Sequence, residues 1–416
     1  MGPWGMVVAE GATRLLDIVL SLSFLAILSP VLLVRAALAL ARERRLFDRS
    51  PRAGRYRELF DLLSFAGGAR FSSLAALFNV LKGDLSFVGP RALTAGEAER
   101  VPIRGVVRFD VRPGLISPWG LRKKTGVAYG DETDVDAEFV WGETVKGDVG
   151  LLARAVPGFV LGGGGEGKSA PPEFSIFGVR IVNTTMTEAV DWILARSREE
   201  EATPVAFVNP DCLNIAHGNA AYREALAAAA RVLPDGIGIH LACRILETPL
   251  LANVNGTDLF PLLCEKAAAE GAPLFLLGAR PGVAEAAART MKERFPGLLV
   301  AGVRDGYFSA EEEGAVLDEI NRSGARVLLV AMGAPRQEVW LHERRDRISV
   351  PVRMGVGGLF DFYSGRIRRA PQWMRDVGLE WVYRLMQEPG RMWRRYVVGN
   401  PLFLFRVAGE ARRRKR

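Results

Sequence analysis

Residues 273–295 read PLFLLGARPGVAEAAARTMKERF, which is an apolar run, a glycine-containing turn and a helical pattern in direct succession. The apolar run predicts a buried β-strand, and the stretch that follows the turn predicts a helix. The same order recurs on both sides of this segment. Strand-like runs stand at PVAFVNP (204–210), LLVAGV (298–303), RVLLVAMG (326–333) and PVRMGVGG (351–358), with helical patterns at 220–232, 310–323 and 336–345. This alternation predicts an α/β fold with a Rossmann-like parallel sheet and helices on both faces.

Polar residues stand in three loops that we place at the carboxyl edge of this sheet, where such folds bind ligands. The candidates are Asp235, Gly278, Arg280, Gln337 and Glu338. Asp235 can accept a proton from a sugar hydroxyl, although an Asx-turn or a helix cap is an open alternative. The glycine-rich turn with Arg280 suits a diphosphate at a helix N-terminus, with simple turn chemistry as the alternative. Gln337 and Glu338 can hydrogen-bond a base or a ribose.

The composition sets limits on the kind of protein. A chain of 416 residues with 49% apolar residues is long enough for two or three domains. Cys212, Cys243 and Cys264 are far apart and have no CxxC or Cys/His spacing, so neither a disulfide framework nor a zinc site is indicated. We predict no cofactor and no bound metal. The oligomeric state is not fixed by the sequence, and a homo-oligomer remains open.

The positive charge is concentrated at the C-terminus. Residues 384–416 contain ten basic residues against two acidic ones, and the formal charge of the whole chain is +8. The same segment carries Trp393, Tyr396, Phe403 and Phe405. Basic residues interleaved with aromatic ones suit a lipid headgroup interface, with a solvated basic tail as the alternative. We therefore predict a C-terminal helical appendage that binds an anionic membrane and not nucleic acid.

An uncharged, mostly apolar run near the N-terminus extends from Ile18 to Val34. It is too long for the apolar part of a signal peptide, and no cleavage site follows it. Pro30 removes a helical hydrogen bond and favours a kink, which suits a re-entrant helix more than a straight span, although a span remains open. The basic flank after the run places the rest of the chain on the cytoplasmic face of the cell inner membrane.

A glycine- and proline-rich stretch, LGGGGEGKSAPPE at 161–173, has no apolar periodicity. It reads as a linker. We therefore divide the chain into a membrane-associated, α-rich domain at 1–160, a linker at 161–173, and the α/β domain at 174–416.

The α/β domain carries a series of motifs in a fixed order. They are NPD, LPDGIG, NGTDLF, FLLGARPG, GYF, GAPRQEVW, GVGGLFDFYSG, RAPQWM and GLEWVYRLMQEPGR. In this order they resemble the WecG/TagA/CpsF glycosyltransferase family over almost all of residues 172–402. The resemblance implies inverting transfer of an N-acetylmannosamine-type or related sugar, without a metal, from a UDP-sugar donor to a polyprenyl-diphosphate-linked sugar acceptor. The corresponding processes are bacterial polysaccharide and cell-wall polymer biosynthesis.

The resemblance also assigns roles to residues. Asp235 is the candidate base, and functional arginines are expected in the C-terminal segment, which offers Arg384, Arg391, Arg394 and Arg395. The residues predicted to bind substrate or nucleotide are Asn209, Asn253, Asn255, Asp258, Gly278, Arg280, Gln337, Glu338, Arg384, Arg391 and Arg394. The domain has no Asp-x-Asp pair to hold a metal against the diphosphate, so arginine is the expected counter-charge.

The chain departs from the family pattern at two positions. Phe207 stands where members often have Thr, and Asn253 stands where they often have Arg. Both changes concern the donor sugar more than the reaction, because the candidate base and the nucleotide loop are kept. Asn253 and Asn255 can still hydrogen-bond a sugar.

The N-terminal domain is similar to the membrane-bound transferases that load a phospho-sugar onto polyprenyl phosphate. The similarity rests on the Ser-Pro apolar hairpin, FNVLKGDLSFVGPR (78–91), VRPGLISPWGL (111–121) and DVDAEFVWGETVKGDVGLL (134–152). The chemistry of that family rests on an adjacent Asp-Glu pair, which here is replaced by Ser72 and Ser73. A serine hydroxyl neither holds a divalent ion nor attacks without a base. We therefore predict an inactive domain kept as a membrane anchor, with a lipid-phosphate cradle around Arg91 left open.

Two other functions remain open at this point. A bifunctional enzyme would keep phospho-sugar transfer in its N-terminal half by another route. A non-catalytic membrane scaffold would organise neighbouring enzymes without turnover.

Overall fold

The computed structural model describes residues 3–68, 72–124, 132–141, 170–371, 374–375 and 378–414. The predicted linker is described only from residue 170 onward, and its glycine run lies outside the described residues. The chain divides into an N-terminal and a C-terminal unit, each of which is compact. The two units are described separately below.

The N-terminal unit begins with two apolar helices, α1 (Pro3–Ile27) and α2 (Ser29–Glu43). Pro30 occupies the first turn of α2, where its missing N–H costs nothing, and the two helix axes are bent by 72°. No single helix among the described residues is long and apolar enough to cross a membrane, and α1 and α2 meet the requirement of length and composition only when the bent pair is taken together. The kink predicted at Pro30 is therefore present, whereas the re-entrant topology stays a prediction.

The remaining described α-helices and β-strands of this unit form a small body against α1. They are β1 (Phe47–Ala53), β2 (Leu59–Phe65), α3 (Ala76–Lys82), β3 (Ser86–Val88), α4 (Ala95–Glu99), β4 (Gly114–Ile116), α5 (Pro118–Lys124) and α6 (Glu132–Trp141). Arg14 donates to the carbonyls of Val80 and Leu81 at 2.6 Å each, and the Asp17 carboxylate accepts from Ser86. Polar residues of α1 thus fix it to the body.

The C-terminal unit is built on a parallel sheet. Its elements are β5 (Glu173–Ile176), β6 (Val179–Val182), α7 (Met186–Ser197), β7 (Thr203–Val208), α8 (Pro210–Gly218), α9 (Ala220–Ala227), β8 (Arg231–Pro234), α10 (Ile237–Ile245), α11 (Gly256–Glu270), β9 (Leu274–Gly278), α12 (Val283–Arg294), β10 (Val300–Arg304), α13 (Glu313–Arg322), β11 (Val327–Ala331), α14 (Arg336–Glu343), β12 (Val352–Gly355) and α15 (Leu359–Tyr363). The described strands of the sheet run in the order β10-β9-β11-β12-β7-β8, and all neighbours are parallel.

Apolar side chains cover both faces of this sheet. One core includes Ile193, Leu263 and Met291 from α7, α11 and α12. The opposite cores include Leu213 and Val316 from α8 and α13. The predicted α/β class, with a parallel sheet between two helical layers, is confirmed.

One predicted helix is shorter than expected. The helical pattern at 220–232 ends at Ala227, and residues Arg231–Pro234 form strand β8 beside β7. The buried side chains of Val232 and Leu233 lie in cores on opposite faces of the sheet. Only a strand places consecutive side chains on opposite faces, so this segment cannot continue the helix.

The chain ends in a helical appendage, as predicted. It consists of α16 (Glu380–Gln387), α17 (Pro389–Trp393), a π-helical turn at Arg394–Val398 and α18 (Gly399–Arg414). Phe403 and Val407 bury one face of α18 in the core beside α8 and α10. This packing holds the π-helical turn against the loops that follow β7 and β8.

Candidate active site

A cleft opens at the carboxyl ends of β7 and β8 and is bounded on its outer side by the C-terminal appendage. It encloses about 940 Å³ of empty space that is partly open to solvent. Its lining brings together six of the predicted site residues, namely Asn209, Asp235, Asn253, Asn255, Asp258 and Arg384. It also contains Arg395, which the resemblance offered among the functional arginines, and it adds Asp211, Phe362, Arg375, Glu380, Trp381, Tyr396 and Asn400. Carboxylates, guanidiniums and aromatic rings therefore face one shared space.

Asp235 sits directly after β8. Its backbone N–H donates to the Val208 carbonyl at 2.8 Å, and the following residue, Gly236, has a φ of 92° that favours glycine. Gly236, and not Asp235, occupies the N-cap position of α10, and no side-chain cap bond is formed there. The helix-cap explanation of Asp235 is therefore not supported, and its carboxylate faces the cleft.

The Asp235 carboxyl has a pKa well above the usual value of an aspartate. Burial raises its pKa to about 6, while the Arg395 guanidinium and a hydrogen bond with Asn209 lower it. Among its further neighbours, Glu380 raises this pKa and Arg384 lowers it. A carboxylate with such a pKa accepts a proton more readily than an exposed aspartate and is still ionised at pH 7.

Three asparagines give this part of the cleft its shape. The Asn209 carbonyl caps α8 by accepting from the N–H groups of Asp211 and Cys212 at 3.1 Å each. The Asn253 carbonyl accepts from Gly236 N–H at 2.6 Å. Asn255 caps α11 through Asp258 N–H at 2.8 Å. Each side-chain carbonyl thus accepts a hydrogen bond from a backbone N–H group. These bonds fix the side-chain amides at the cleft wall.

A network of opposite charges links the cleft wall to the appendage. Arg369 contacts Asp258 at 2.5 Å and Glu380 at 3.2 Å, and Arg375 lies 3.7 Å from Asp258. Burial lowers the pKa of Arg369, but the two carboxylates outweigh it, so its net pKa is raised and it stays charged. This network ties the start of α16 to the start of α11.

Among the described residues three arginines line the cleft, and two of them, Arg384 and Arg395, act on the candidate base. Arg384 lies over the Phe362 ring at 5.2 Å from its centroid and has only 16% of its side chain exposed. Arg395 lies with its Nε 3.5 Å from an oxygen of Asp211. Burial lowers the pKa of Arg395, and the acidic groups around it, which include Asp235, outweigh that effect and raise it. Both groups therefore offer a fixed positive charge beside the candidate base.

Arg391 and Arg394 do not reach the cleft. Both are exposed, and Arg391 pairs with Glu388 at 3.1 Å. The π-helical turn at Arg394–Val398 directs Arg395 into the cleft instead. The predicted contact of Arg391 and Arg394 with substrate stays a prediction that this arrangement does not support. Sequence spacing alone could not distinguish Arg394 from Arg395, because a π-turn changes which residues share a face.

Two models of known protein families match parts of the chain. The family model described as the glycosyl transferase WecG/TagA/CpsF family matches residues 174–416, which is more than half of the chain. The chain belongs to the WecG/TagA/CpsF glycosyltransferase family. A second model, described as bacterial sugar transferase, matches residues 68–162. The fusion of two transferase-type domains predicted from the motifs is confirmed.

The loop after β9 of the WecG/TagA/CpsF domain lies outside the cleft lining. Gly278 has a φ of 130°, and a Cβ on it would come within 2.5 Å of the Ala331 carbonyl oxygen. Only glycine fits this close approach of two strands. Arg280 is exposed in the same loop. The predicted contact of this loop with a diphosphate remains untested.

Gln337 and Glu338 are buried rather than open to the cleft. The Gln337 carbonyl accepts from Gly333 N–H and Gly357 N–H at 3.0 Å each, and its amide donates to Glu338 at 2.7 Å. Gln337 thus links the loop after β11 to the loop after β12 by hydrogen bonds. Its predicted place at the nucleotide stays a prediction, and the described bonds assign it a structural role at that edge of the sheet.

Glu338 should make the domain less stable at high pH. Burial raises its pKa to about 7 from 4.5, while the bond from Gln337 lowers it, and its Oε2 has no hydrogen-bond partner among the described residues. Below pH 4.5 the Glu338 carboxyl is protonated in both the folded and the unfolded state. Between pH 4.5 and about 7 it ionises in the unfolded state only, which lowers the free energy of unfolding. Above pH 7 the loss in the free energy of unfolding is up to about 3 kcal/mol.

Glu338→Gln removes this cost while it keeps the shape of the side chain. We expect the melting temperature of the variant, relative to wild type, to rise between pH 5 and pH 8, as measured by differential scanning calorimetry. A difference in melting temperature that does not change with pH would show that Glu338 is already ionised in the folded state.

The N-terminal unit places Ser72 and Ser73 in a short 3₁₀ turn before α3, with Ser73 exposed. In the same unit, Arg91 forms ion pairs with two carboxylates, at 3.1 Å from Glu132 and 3.0 Å from Glu97. A lipid-phosphate cradle around Arg91 would need these ion pairs to open. The described residues give no support to such a cradle.

Proposed function

We propose that the C-terminal unit transfers a sugar, of the N-acetylmannosamine type or related to it, from a UDP-sugar to a polyprenyl-diphosphate-linked sugar, with inversion. One observation carries the proposal. A carboxyl with a pKa of about 6, Asp235, shares a cleft with the guanidiniums of Arg384 and Arg395. A base and fixed cations are what a displacement at a sugar–diphosphate bond requires.

The reaction is a single displacement. Asp235 accepts the proton of an acceptor hydroxyl as that oxygen forms its bond to the anomeric carbon of the donor sugar. The bond from the anomeric carbon to the diphosphate oxygen breaks at the same time, and its electron pair leaves on UDP. Because attack and departure occur on opposite faces of the carbon, the anomeric configuration inverts.

Arg384 and Arg395 neutralise the charge that develops on the leaving diphosphate. Guanidiniums match phosphate oxygens in pairs and keep their charge at any physiological pH. They fill the role that a divalent ion has in other nucleotide-sugar transferases. Transfer is therefore expected to proceed in the presence of EDTA.

A membrane surface suits both units. Apolar side chains on α1 and α2 are exposed, among them Ile27 at 73% and Leu33 at 70%. The appendage likewise exposes Trp393 and Phe405, beside its basic residues. Burial of these side chains in lipid would hold the chain at the cytoplasmic face of the inner membrane, where nucleotide sugars and lipid-linked acceptors meet.

The N-terminal unit serves as an anchor without catalysis in this proposal. Phospho-sugar transfer requires a nucleophile and a divalent ion, and the Ser72 and Ser73 hydroxyls provide neither. The acidic residues near Arg91 are already paired with arginine. A polyprenyl phosphate acceptor without a sugar is therefore not a substrate.

Nucleotide release tests this proposal. The purified chain is given a panel of UDP-sugars with either polyprenyl-diphosphate-GlcNAc or bare polyprenyl phosphate, and UDP and UMP are measured separately. We expect UDP from one donor and only with the glycosylated lipid, with or without EDTA. UMP formed from the bare lipid would show that the N-terminal unit is active and that the inference from Ser72 and Ser73 is wrong.

A further inference from the structure

Two aromatic rings line the cleft without serving the apolar core. Trp381 on α16 and Tyr396 in the π-helical turn have ring centroids 5.8 Å apart, with their planes inclined by 59°. Both side chains are partly exposed, and neither belongs to the core clusters formed by the described residues. Their rings therefore face the cleft and are not needed to fill the interior.

This aromatic pair lies close to the candidate base. The Arg395 guanidinium is 5.6 Å from the Tyr396 ring centroid. The same guanidinium is near enough to Asp235 to lower its pKa. The Tyr396 ring, the Arg395 guanidinium and the Asp235 carboxylate thus line a single cleft.

The acceptor sugar must occupy the space between them. Its hydroxyl has to come within about 3 Å of the Asp235 carboxylate for proton transfer. One face of a pyranose ring carries C–H bonds, which pack against the electron-rich face of an aromatic ring. Glu380 and Asn400 line the cleft beside the pair and offer hydrogen-bonding groups to the hydroxyls at the ring edge.

The position of the pair on the chain distinguishes acceptor from donor. Tyr396 faces the cleft, while the adjacent Val397 and Val398 and the nearby Trp393 are exposed, by 40%, 52% and 52%. One element thus has an inner face toward the base and an outer apolar face that suits lipid. A sugar that arrives on a lipid diphosphate enters from this side, whereas a nucleotide has no need of it.

We propose that Trp381 and Tyr396 form the acceptor subsite, an aromatic platform that binds the sugar ring of the lipid-linked acceptor. The proposal rests on the function assigned above and adds residues to it. The platform fixes the plane of the acceptor ring and thereby selects which hydroxyl meets Asp235. Donor binding does not involve it.

Substitution of the platform separates acceptor from donor effects. Trp381→Ala and Tyr396→Leu are expected to raise the KM for a short-prenyl diphosphate–GlcNAc acceptor about tenfold each, as for the loss of an aromatic contact. The KM for the UDP-sugar stays within about twofold. Trp381→Phe and Tyr396→Phe keep a ring and retain most of the affinity. Trp393→Ala, on the outer face, is the matched control and leaves the acceptor KM unchanged with this soluble acceptor.

Calorimetry tests acceptor binding by the aromatic platform independently of the proposed function. Wild type should bind the soluble acceptor, and Trp381→Ala should bind it about tenfold more weakly while it binds UDP normally. If wild type binds the acceptor in this way but no donor is turned over, the proposed function fails and the subsite stands. Equal acceptor affinity in wild type and Trp381→Ala, or an equal loss of UDP affinity, would overturn the subsite.

Discussion

Asp235→Asn should lower kcat by about 10²–10⁴-fold, because the amide keeps the size of the carboxylate but cannot accept the proton of the attacking hydroxyl. The local backbone structure around residue 235 should be unchanged by this substitution. The backbone bonds from Asp235 to Val208 and from Gly236 to Asn253 do not use the carboxylate. UDP binding, followed by calorimetry, is therefore expected to be retained while turnover is lost.

The pH dependence of the same enzyme gives a second readout of Asp235. Its pKa of about 6 means that the active, ionised form is lost as the pH falls below that value. The rate of the wild type should rise with pH through about 6 and be level above it. Asp235→Asn should show a residual rate without this limb. A variant that keeps more than about a tenth of the wild-type kcat, with the limb intact, would remove Asp235 from the mechanism.

Arg395→Gln should lower kcat by about 10²–10³-fold, the usual loss when one fixed charge facing a developing anion is removed. Arg395 projects into the cleft and is held by Asp211 at 3.5 Å. Its loss also removes a charge that lowers the pKa of Asp235, so the acid limb of the pH profile should move above 6. Arg384→Gln is expected to lower kcat to a similar extent with a smaller pH shift.

Arg394→Gln is the matched control for Arg395→Gln. The two residues are adjacent and carry the same charge, but Arg394 is exposed outside the cleft lining. We expect normal kcat with a soluble acceptor and weaker binding to anionic vesicles for Arg394→Gln. If the two variants lose kcat equally, the π-helical turn does not set which arginine meets the substrate.

The parallel sheet was predictable because five of its strands are apolar runs that alternate with helical patterns. Strand β8 was less evident, since an alanine-rich helix leads into it, and the strand is shown only by the packing of Val232 and Leu233 on opposite faces of the sheet. Asp235 was found because a carboxylate at a strand end suggests chemistry. Its pKa is raised chiefly by burial and is modified by Arg395 and Glu380, which are far along the chain, and no local pattern shows either effect.

The aromatic pair and the charge network were not predicted for a related reason. Trp381 and Glu380 lie in the motif GLEWVYRLMQEPGR, whose helical pattern indicates an amphipathic helix and not which face meets the cleft. Gln337 has a structural role that the sequence did not indicate. Its place at the nucleotide stays a prediction, and its side-chain carbonyl accepts hydrogen bonds from two backbone N–H groups. The hydrogen-bonding needs of buried loops are set by tertiary structure.

Mass spectrometry of the lipid product tests the central claim most directly. The full chain is incubated in vesicles with polyprenyl-diphosphate-GlcNAc and the UDP-sugar that supports UDP release. The molecular mass of the lipid is measured before and after the incubation. We expect a lipid heavier by one sugar residue, with its diphosphate unchanged, in the wild type and not in Asp235→Asn. An unchanged lipid beside free sugar and UDP, or a phospho-sugar added to bare polyprenyl phosphate, would contradict it.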